Sequence, residues 1–208
     1  MRFTCRMKDI FTIELIRIEL LRMIDKYWNK ITRIGIPDDV VHIKPYMVIW
    51  KWLYRIEKFR LKTSLDGLVV DIQHVGSTAI PNIPAKPIID ICIAIADYRA
   101  AMRCVHLIER LGYKYKGEND ELQQHLFVKG QPTAYCLYMV ESGNEILNSG
   151  VYFRDYLIQH PDVALNYVTL KQKLARRFAT DRREYQEAKH SFVQQVIEMA
   201  RSENISAI

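Results

Sequence analysis

Asp90 is the residue of this 208-residue chain around which chemistry is easiest to build. It lies in the run Ile88 to Ile95, where a period of two puts Ile89, Ile91, Ile93 and Ile95 on one face and Ile88, Asp90, Cys92 and Ala94 on the other. The first face is pure core. The second begins with a carboxylate and continues with small residues, the composition of a strand that floors a pocket. A buried carboxylate without a partner is costly, so Asp90 needs a cation, a hydrogen-bond donor or water. Upstream, Gly76-Ser77-Thr78 follows directly on an apolar, β-branched run. A glycine there lets the backbone turn sharply and bring amides close to a phosphate. Ser77 and Thr78 add hydroxyls, and Lys86 a mobile positive charge. A Gly-Ser-Thr turn alone is more often structural than functional. Its pairing with Asp90 gives it weight.

Other residues carry weaker signals. In Tyr135-Cys136-Leu137-Tyr138 the second and fourth side chains share a face and could line the same pocket as Asp90 and Cys92, although ordinary strand packing explains them equally well. Glu141, where that run ends, is the best candidate for a further metal-binding carboxylate; an acid leaving a strand is more often simply solvated. His74, His125 and Cys136 lack the local spacing of a zinc site. Tyr152, Tyr156, Tyr167 and Tyr185 read as aromatic packing before they read as a base-stacking platform.

Positioning these residues requires a recognisable series of elements. Residues 8–33 carry Ile10, Ile13, Leu20, Ile24, Tyr27 and Ile31 near one helical face, and Gly35, Pro37 and Asp38-Asp39 then read as a linker. Residues 1–40 are therefore expected to be a helical extension that docks on the body or on a second copy. After Pro45, helical spacing of Val48, Trp52, Leu53, Ile56 and Phe59 runs to a turn at Asp66-Gly67. Leu68 to Val75 reads as a strand, and a loop with Pro81, Pro84 and Pro87 leads to the strand holding Asp90. Asp97 suits a helix N-cap and Gly112 the end of that helix. His125 to Val128 and Ala134 to Val140 flank Lys129-Gly130-Gln131-Pro132 as a hairpin. From Tyr152 to about Ala200 the pattern is helical, broken at His160-Pro161 and near Thr180-Asp181. The expected division is 1–40 extension, 41–148 α/β core and 149–208 C-terminal helices.

Composition narrows the class. Nearly half the residues are apolar and 26% are charged, a globular composition with no low-complexity stretch. Lysine and arginine exceed the acids by six, which favours phosphate-bearing partners such as nucleotides, RNA or acidic lipid surfaces, but no dense basic block is present and a solvated surface is the plainer reading. Cys5, Cys92, Cys104 and Cys136 form no CxxC pair, as for reduced thiols in a cytoplasmic protein. Glu14, Arg17, Glu19 and Arg22 interrupt the apolar N-terminal residues, so neither a secretory signal nor a membrane span is expected.

The stretch His74-Val75-Gly76-Ser77-Thr78-Ala79-Ile80-Pro81, followed by Pro84-Ala85-Lys86-Pro87-Ile88-Ile89-Asp90-Ile91, resembles the signature of the GrpB-like proteins. Phe153-Arg154-Asp155-Tyr156-Leu157 with His160-Pro161, Tyr167, Lys171, Arg183, Tyr185, Lys189 and Phe192 is similar to that family's C-terminal helical region. The likeness runs from about Val41 to Val196. It implies a nucleotidyltransferase-like mixed β-sheet flanked by helices. It also implies a Gly-Ser turn that binds a nucleoside triphosphate and strand carboxylates that hold Mg²⁺ or Mn²⁺. On that pattern Gly76, Ser77 and Thr78 cradle phosphate, Asp90 is the catalytic metal carboxylate, and Lys86 and Arg154 neutralise phosphate. His74, Cys92, Cys136 and Tyr138 would line the pocket. Two places depart from full catalytic competence: active nucleotidyltransferases usually carry a second acid two residues after the first, where this chain has Cys92, a soft ligand unsuited to Mg²⁺, and many GrpB-like chains lack that acid too; and Tyr135-Cys136-Leu137-Tyr138 stands where the family tends to carry His-His-Leu-His. The expectation is thus a metal-dependent nucleotidyltransferase with an unknown acceptor, RNA among the candidates and homodimerisation open. Its alternative is a catalytically degenerate nucleotide-binding or protein-interaction module on the same fold.

Overall fold

The computed structural model describes residues 29–203 together with Met23 and Tyr27. Among the described residues, five strands form one mixed sheet in the order β1-β2-β5-β4-β3. They are β1 (Val69–Val75), β2 (Ile89–Ile95), β3 (Lys114–Asn119), β4 (Gln124–Lys129) and β5 (Tyr135–Glu141). The central β2–β5 pair is parallel; β1 with β2, β5 with β4 and β4 with β3 run antiparallel.

The helices divide between the two faces. On one, α1 (Ile49–Ser64) and α2 (Ala101–Glu109) cover Ile89, Ile91, Ile93 and Ile95 of β2 and Tyr135, Leu137 and Met139 of β5, with Trp50, Leu53, Leu61 and Ile108 fully buried between the layers. The alternation in the sequence therefore places this face as expected. On the other face α3 (Glu145–Gln159), α4 (Pro161–Arg177), the short α5 (Arg182–Glu187) and α6 (His190–Ser202) form a helical layer with its own apolar centre at Phe153, Tyr156, Tyr167 and Val196. That layer meets the sheet only in part. Leu147 and Val151 of α3 pack on Val75, Cys92, Ala94 and Val140, and Gly150 lets α3 approach closely, since a Cβ there would lie 3.0 Å from Val75 Cγ1.

Local chemistry explains the boundaries. Asp97 accepts from Arg99 N and opens a 3₁₀ turn (Tyr98–Ala100) that runs into α2, and Gly112, at φ 91°, follows its end. Asn144 accepts from Ile146 N and starts α3 seven residues before Tyr152; the sequence signal for this start is one asparagine. Pro161 begins α4 and Asp181 caps α5. The sequence of β3 does not announce a strand: Lys-Tyr-Lys-Gly-Glu-Asn is polar and interrupted by Gly117 at φ 109°, as an exposed edge strand with a bulge allows.

The N-terminal helix expected over 8–33 falls largely outside the described residues; Met23, Tyr27 and residues 29–32 are helical. Residues 34–44 lie against the body: Ile34, Ile36 and Val41 are buried, Gly35 N donates to Pro87 O, and Lys44 bridges Ala85. No helix among the described residues is long and apolar enough to cross a membrane.

Candidate functional site

The helical layer and the sheet enclose a cavity of about 840 Å³, within the range of small-molecule sites. Its floor is Asp90, Cys92 and Tyr138 from the two parallel strands, and one wall is the turn after β1, with Val75, Gly76, Ser77 and Thr78. The opposite wall is helical, from α3, α4, α5 and α6.

The turn and the strand are fitted to each other. Val75 pairs with Asp90 across β1 and β2, and the chain then turns at Gly76 with φ 71° and ψ −175°, a conformation essentially confined to glycine. A Cβ there would stand 2.6 Å from Asp90 Oδ2. Gly76 is thus required twice, by backbone conformation and by the carboxylate beside it. Ser77 Oγ shares a 3.1 Å hydrogen bond with Tyr167 OH, while Thr78 Oγ1 donates to Ile88 O at 2.9 Å. Thr78 therefore lends the cavity its backbone and keeps its hydroxyl for the fold.

Positive charge gathers at this end. Lys86, Arg182 and Lys189 all act on Asp90. Burial pushes the Asp90 carboxyl up to about 6 in spite of them. Burial also brings Lys86 down to about 8, with repulsion from Arg182 adding to it, and Lys189 down to about 7, with repulsion from Lys86 adding to it. The buried Nζ of Lys86 has no hydrogen-bond partner among the described residues; it sits 5.1 Å from the centre of the Tyr185 ring, which Lys189 Nζ approaches to 4.7 Å. Arg182 Nη1 also lies 3.5 Å from Asp38 Oδ1, an exposed acid outside the cavity. Beneath them Lys171, 1% exposed, donates to Pro84 O and lies 4.3 Å from the Tyr167 ring. Tyr167 and Lys171 thereby brace both sides of the loop that carries the glycine turn. The far end of the cavity is acidic, with Asp120, Glu121 and Glu145. Glu145 there is paired with Arg201 and accepts from Ser149.

The structure brings together Gly76, Ser77, Thr78, Lys86, Asp90, Cys92 and Tyr138 around the cavity, and the other candidates do not line it. His74 points to the opposite face, stacked on Tyr54 at 4.6 Å with Nε2 3.1 Å from Thr78 Oγ1. Burial, and then the charge of Arg154, bring its pKa down to about 3, so the ring is neutral, and since Thr78 gives its proton to Ile88 O, Nε2–H is the donor. Arg154 donates to Gln73 Oε1, His74 O and both Asp155 oxygens, which pins α3 to β1. Cys136, in register with Asp90, is buried at the edge of the floor with Ile36 and Ile88, where Arg182 hydrogen-bonds its thiol. Glu141, at the far end of β5, alternates to the other face and approaches Tyr98 N. Arg182 and Lys189 are the residues that sequence reasoning missed. Their signal is spacing: Arg182, Tyr185 and Lys189 stand three and then four residues apart, one helical face, carried across a break that keeps right-handed helical backbone at Ala188 and Lys189.

This donor set does not fit a resident divalent ion. Among the described residues Asp90 is the one acid at the inner end, the thiol of Cys92 is pushed up to about 12 by burial, and no group of three metal-binding side chains occurs. A cation placed beside Asp90 would also face three positive side chains.

The family model described as GrpB protein matches residues 40–199. Among curated relatives, UPF0157 protein YqkA of Bacillus subtilis is 34% identical over 166 residues, 79% of this chain and 48% of its own length. UPF0157 protein PA4798 of Pseudomonas aeruginosa is 34% identical over 77% of this chain and 67% of that protein. Glutamate-rich protein GrpB of Alkalihalophilus pseudofirmus is 32% identical over 71% and 88%. The chain therefore spans about half the length of the Bacillus relative. The crystal structure of GrpB from Enterococcus faecalis superimposes with a TM-score of 0.73 at 26% identity, covering 79% of this chain and all of that one. With the sheet, the helical layer and the glycine turn lying inside the matched span, this chain belongs to the GrpB family.

Proposed function

We propose that the cavity binds a nucleoside triphosphate, with the phosphates at the inner end beside Gly76 and Ser77 and the nucleoside toward the acidic mouth. The observation that carries this reading is the convergence of Lys86, Arg182 and Lys189 on the turn. Three cations about one carboxylate leave an excess of positive charge in a partly desolvated place, where an anion gains most. The apolar middle of the cavity, with Ile146, Val193 and Ile197, suits the flat face of a base, and Gln123, Gln124 and Asn144 offer donors and acceptors to its edge. The test is the unfolding temperature of the purified protein against a panel of nucleoside triphosphates. A concentration-dependent rise supports the reading; no rise with any of them removes it.

A second reading adds chemistry. Asp90, with its pKa drawn toward neutrality, is suited to accept the proton of an acceptor hydroxyl as that oxygen bonds to the α-phosphorus. The bond between the α-phosphorus and the bridging oxygen breaks and pyrophosphate leaves toward Lys86 and Lys189. On this reading Asp90→Ala abolishes pyrophosphate release while nucleotide binding persists. Absence of release with every acceptor class, RNA ends included, would leave the binding function alone.

A further inference from the structure

The inner end of the cavity collects cations where active nucleotidyltransferases carry metal-binding acids. Bringing Lys86, Arg182 and Lys189 within mutual reach is unfavourable, because each repels the others, and burial removes the water that would screen them. Asp90 offsets only part of this. Asp38 pairs with Arg182 from outside the cavity and leaves the two lysines to Asp90. The Lys86 ammonium is out of water with no hydrogen-bond partner among the described residues, held over the Tyr185 ring. Such an arrangement is completed by an anion that reaches the ammonium groups directly. A hydrated divalent ion in front of Asp90 would add to the repulsion and take the carboxylate that offsets it.

We infer that this site recognises a di- or triphosphate group without a divalent metal, through Lys86, Arg182 and Lys189, with Asp90 there to hold the cation cluster together and not to ligate an ion. The inference rests on the nucleotide-binding reading and sharpens it. It makes the ligand the free polyphosphate anion, and it reverses the expected effect of losing Asp90. A metal site loses its ligand when Asp90 becomes Asn, whereas an anion site loses a repelling charge.

Isothermal titration calorimetry of the full chain with ATP and with inorganic pyrophosphate, each in EDTA and in excess Mg²⁺, tests this. We expect dissociation constants in EDTA no more than about threefold weaker than in Mg²⁺. We also expect weakening of about tenfold or more in Lys86→Met and in Lys189→Met, and retained or tighter binding in Asp90→Asn; tenfold is the effect of removing about 1.4 kcal/mol of charge-assisted contact. The two methionine substitutions take a desolvated charge out of the cavity, so their folding, checked by circular dichroism, should be intact. Binding that requires Mg²⁺ and disappears in Asp90→Asn would overturn the inference and leave nucleotide binding standing. Pyrophosphate binding in EDTA with the same response to substitution, but no binding of ATP, would support the metal-free anion site and end the nucleotide reading. No heat with either ligand under either condition would end both.

Discussion

Gly76 shows how tightly the turn and Asp90 depend on each other. Any side chain at this position meets two obstacles, the backbone conformation and the Asp90 carboxylate 2.6 Å from the new Cβ. Gly76→Ala should lower stability by about 1–3 kcal/mol through the backbone alone, with the steric term added. The two parts are separable. In Gly76→Ala/Asp90→Ala the 2.6 Å contact with the carboxylate is gone, while the backbone strain and a 3.2 Å approach to the remaining Cβ at position 90 persist, so urea unfolding should show Asp90→Ala costing less when Gly76→Ala is already present than in the wild type. Strict additivity would mean that the turn moves away from β2 and that the close approach is not enforced. The same residues show what can be read from a sequence. The alternation of β2 and the glycine after β1 are local patterns, so the floor of the cavity is legible. Arg182 and Lys189 are not, because a charge on a helix looks alike whether it faces water or a cavity, and only the packing of α5 and α6 over the turn decides. Arg154 and Glu141 mislead for the same reason in reverse: each has the right residue type, and its position in the fold commits it elsewhere.

At the scale of elements, α1 is joined to the β4–β5 hairpin by a buried ion pair that no sequence pattern announces. Glu57, 1% exposed, accepts from Lys129 Nζ at 3.0 and 3.2 Å and from Arg60 Nη1 at 3.2 Å; Lys129 is 2% exposed and lies 5.3 Å from the rings of both Tyr113 and Tyr135. In the sequence both read as solvated positions, Glu57 inside a helix rich in lysine and arginine and Lys129 at a hairpin turn. Breaking such a pair leaves one charge buried, so Glu57→Leu should destabilise by about 3–5 kcal/mol. Glu57→Leu/Lys129→Met should recover most of that loss, since two apolar groups can fill the space of a buried pair. Chemical denaturation of the two single variants and the double variant gives the coupling. A double variant as unstable as the sum of the singles would show that the pair is solvated or that Arg60 and the tyrosines carry the contact. The cavity lies on the other side of the sheet, so nucleotide binding by the folded double variant should be unchanged.

The molecule as a whole carries an excess of positive charge, and some of its most consequential cations are inside it. Lys171 and Lys189 each titrate near 10.5 in the unfolded chain, and in the fold burial first, then repulsion (of Lys189 on Lys171 and of Lys86 on Lys189), brings both down to about 7. Below about pH 7 both are protonated in either state, and the fold bears the full penalty of two desolvated ammonium groups. Between about 7 and 10.5 the unfolded chain binds the additional protons, so these lysines make stability rise with pH, by at most about 1.4 kcal/mol per unit each. Cys92 and Cys136 act in the opposite sense at the upper end of the window. Their thiols ionise near 9.0 when unfolded and are pushed up to about 12 by burial, so above about pH 9 the unfolded chain releases protons that the fold keeps, and they lower stability as pH rises. The free energy of unfolding should therefore increase by at least about 1 kcal/mol between pH 7 and roughly 8.5, below the range in which the thiols oppose it. Urea unfolding at fixed ionic strength across that interval measures it. Lys171→Met/Lys189→Met should flatten the profile, and a saturating anion at the inner end should flatten it too, because an anion raises the lysine pKa back toward its unfolded value and turns the penalty into binding energy. A flat profile in the wild-type protein would show both lysines to be hydrated, and the cation cluster would then lack the desolvation on which its affinity for phosphate depends.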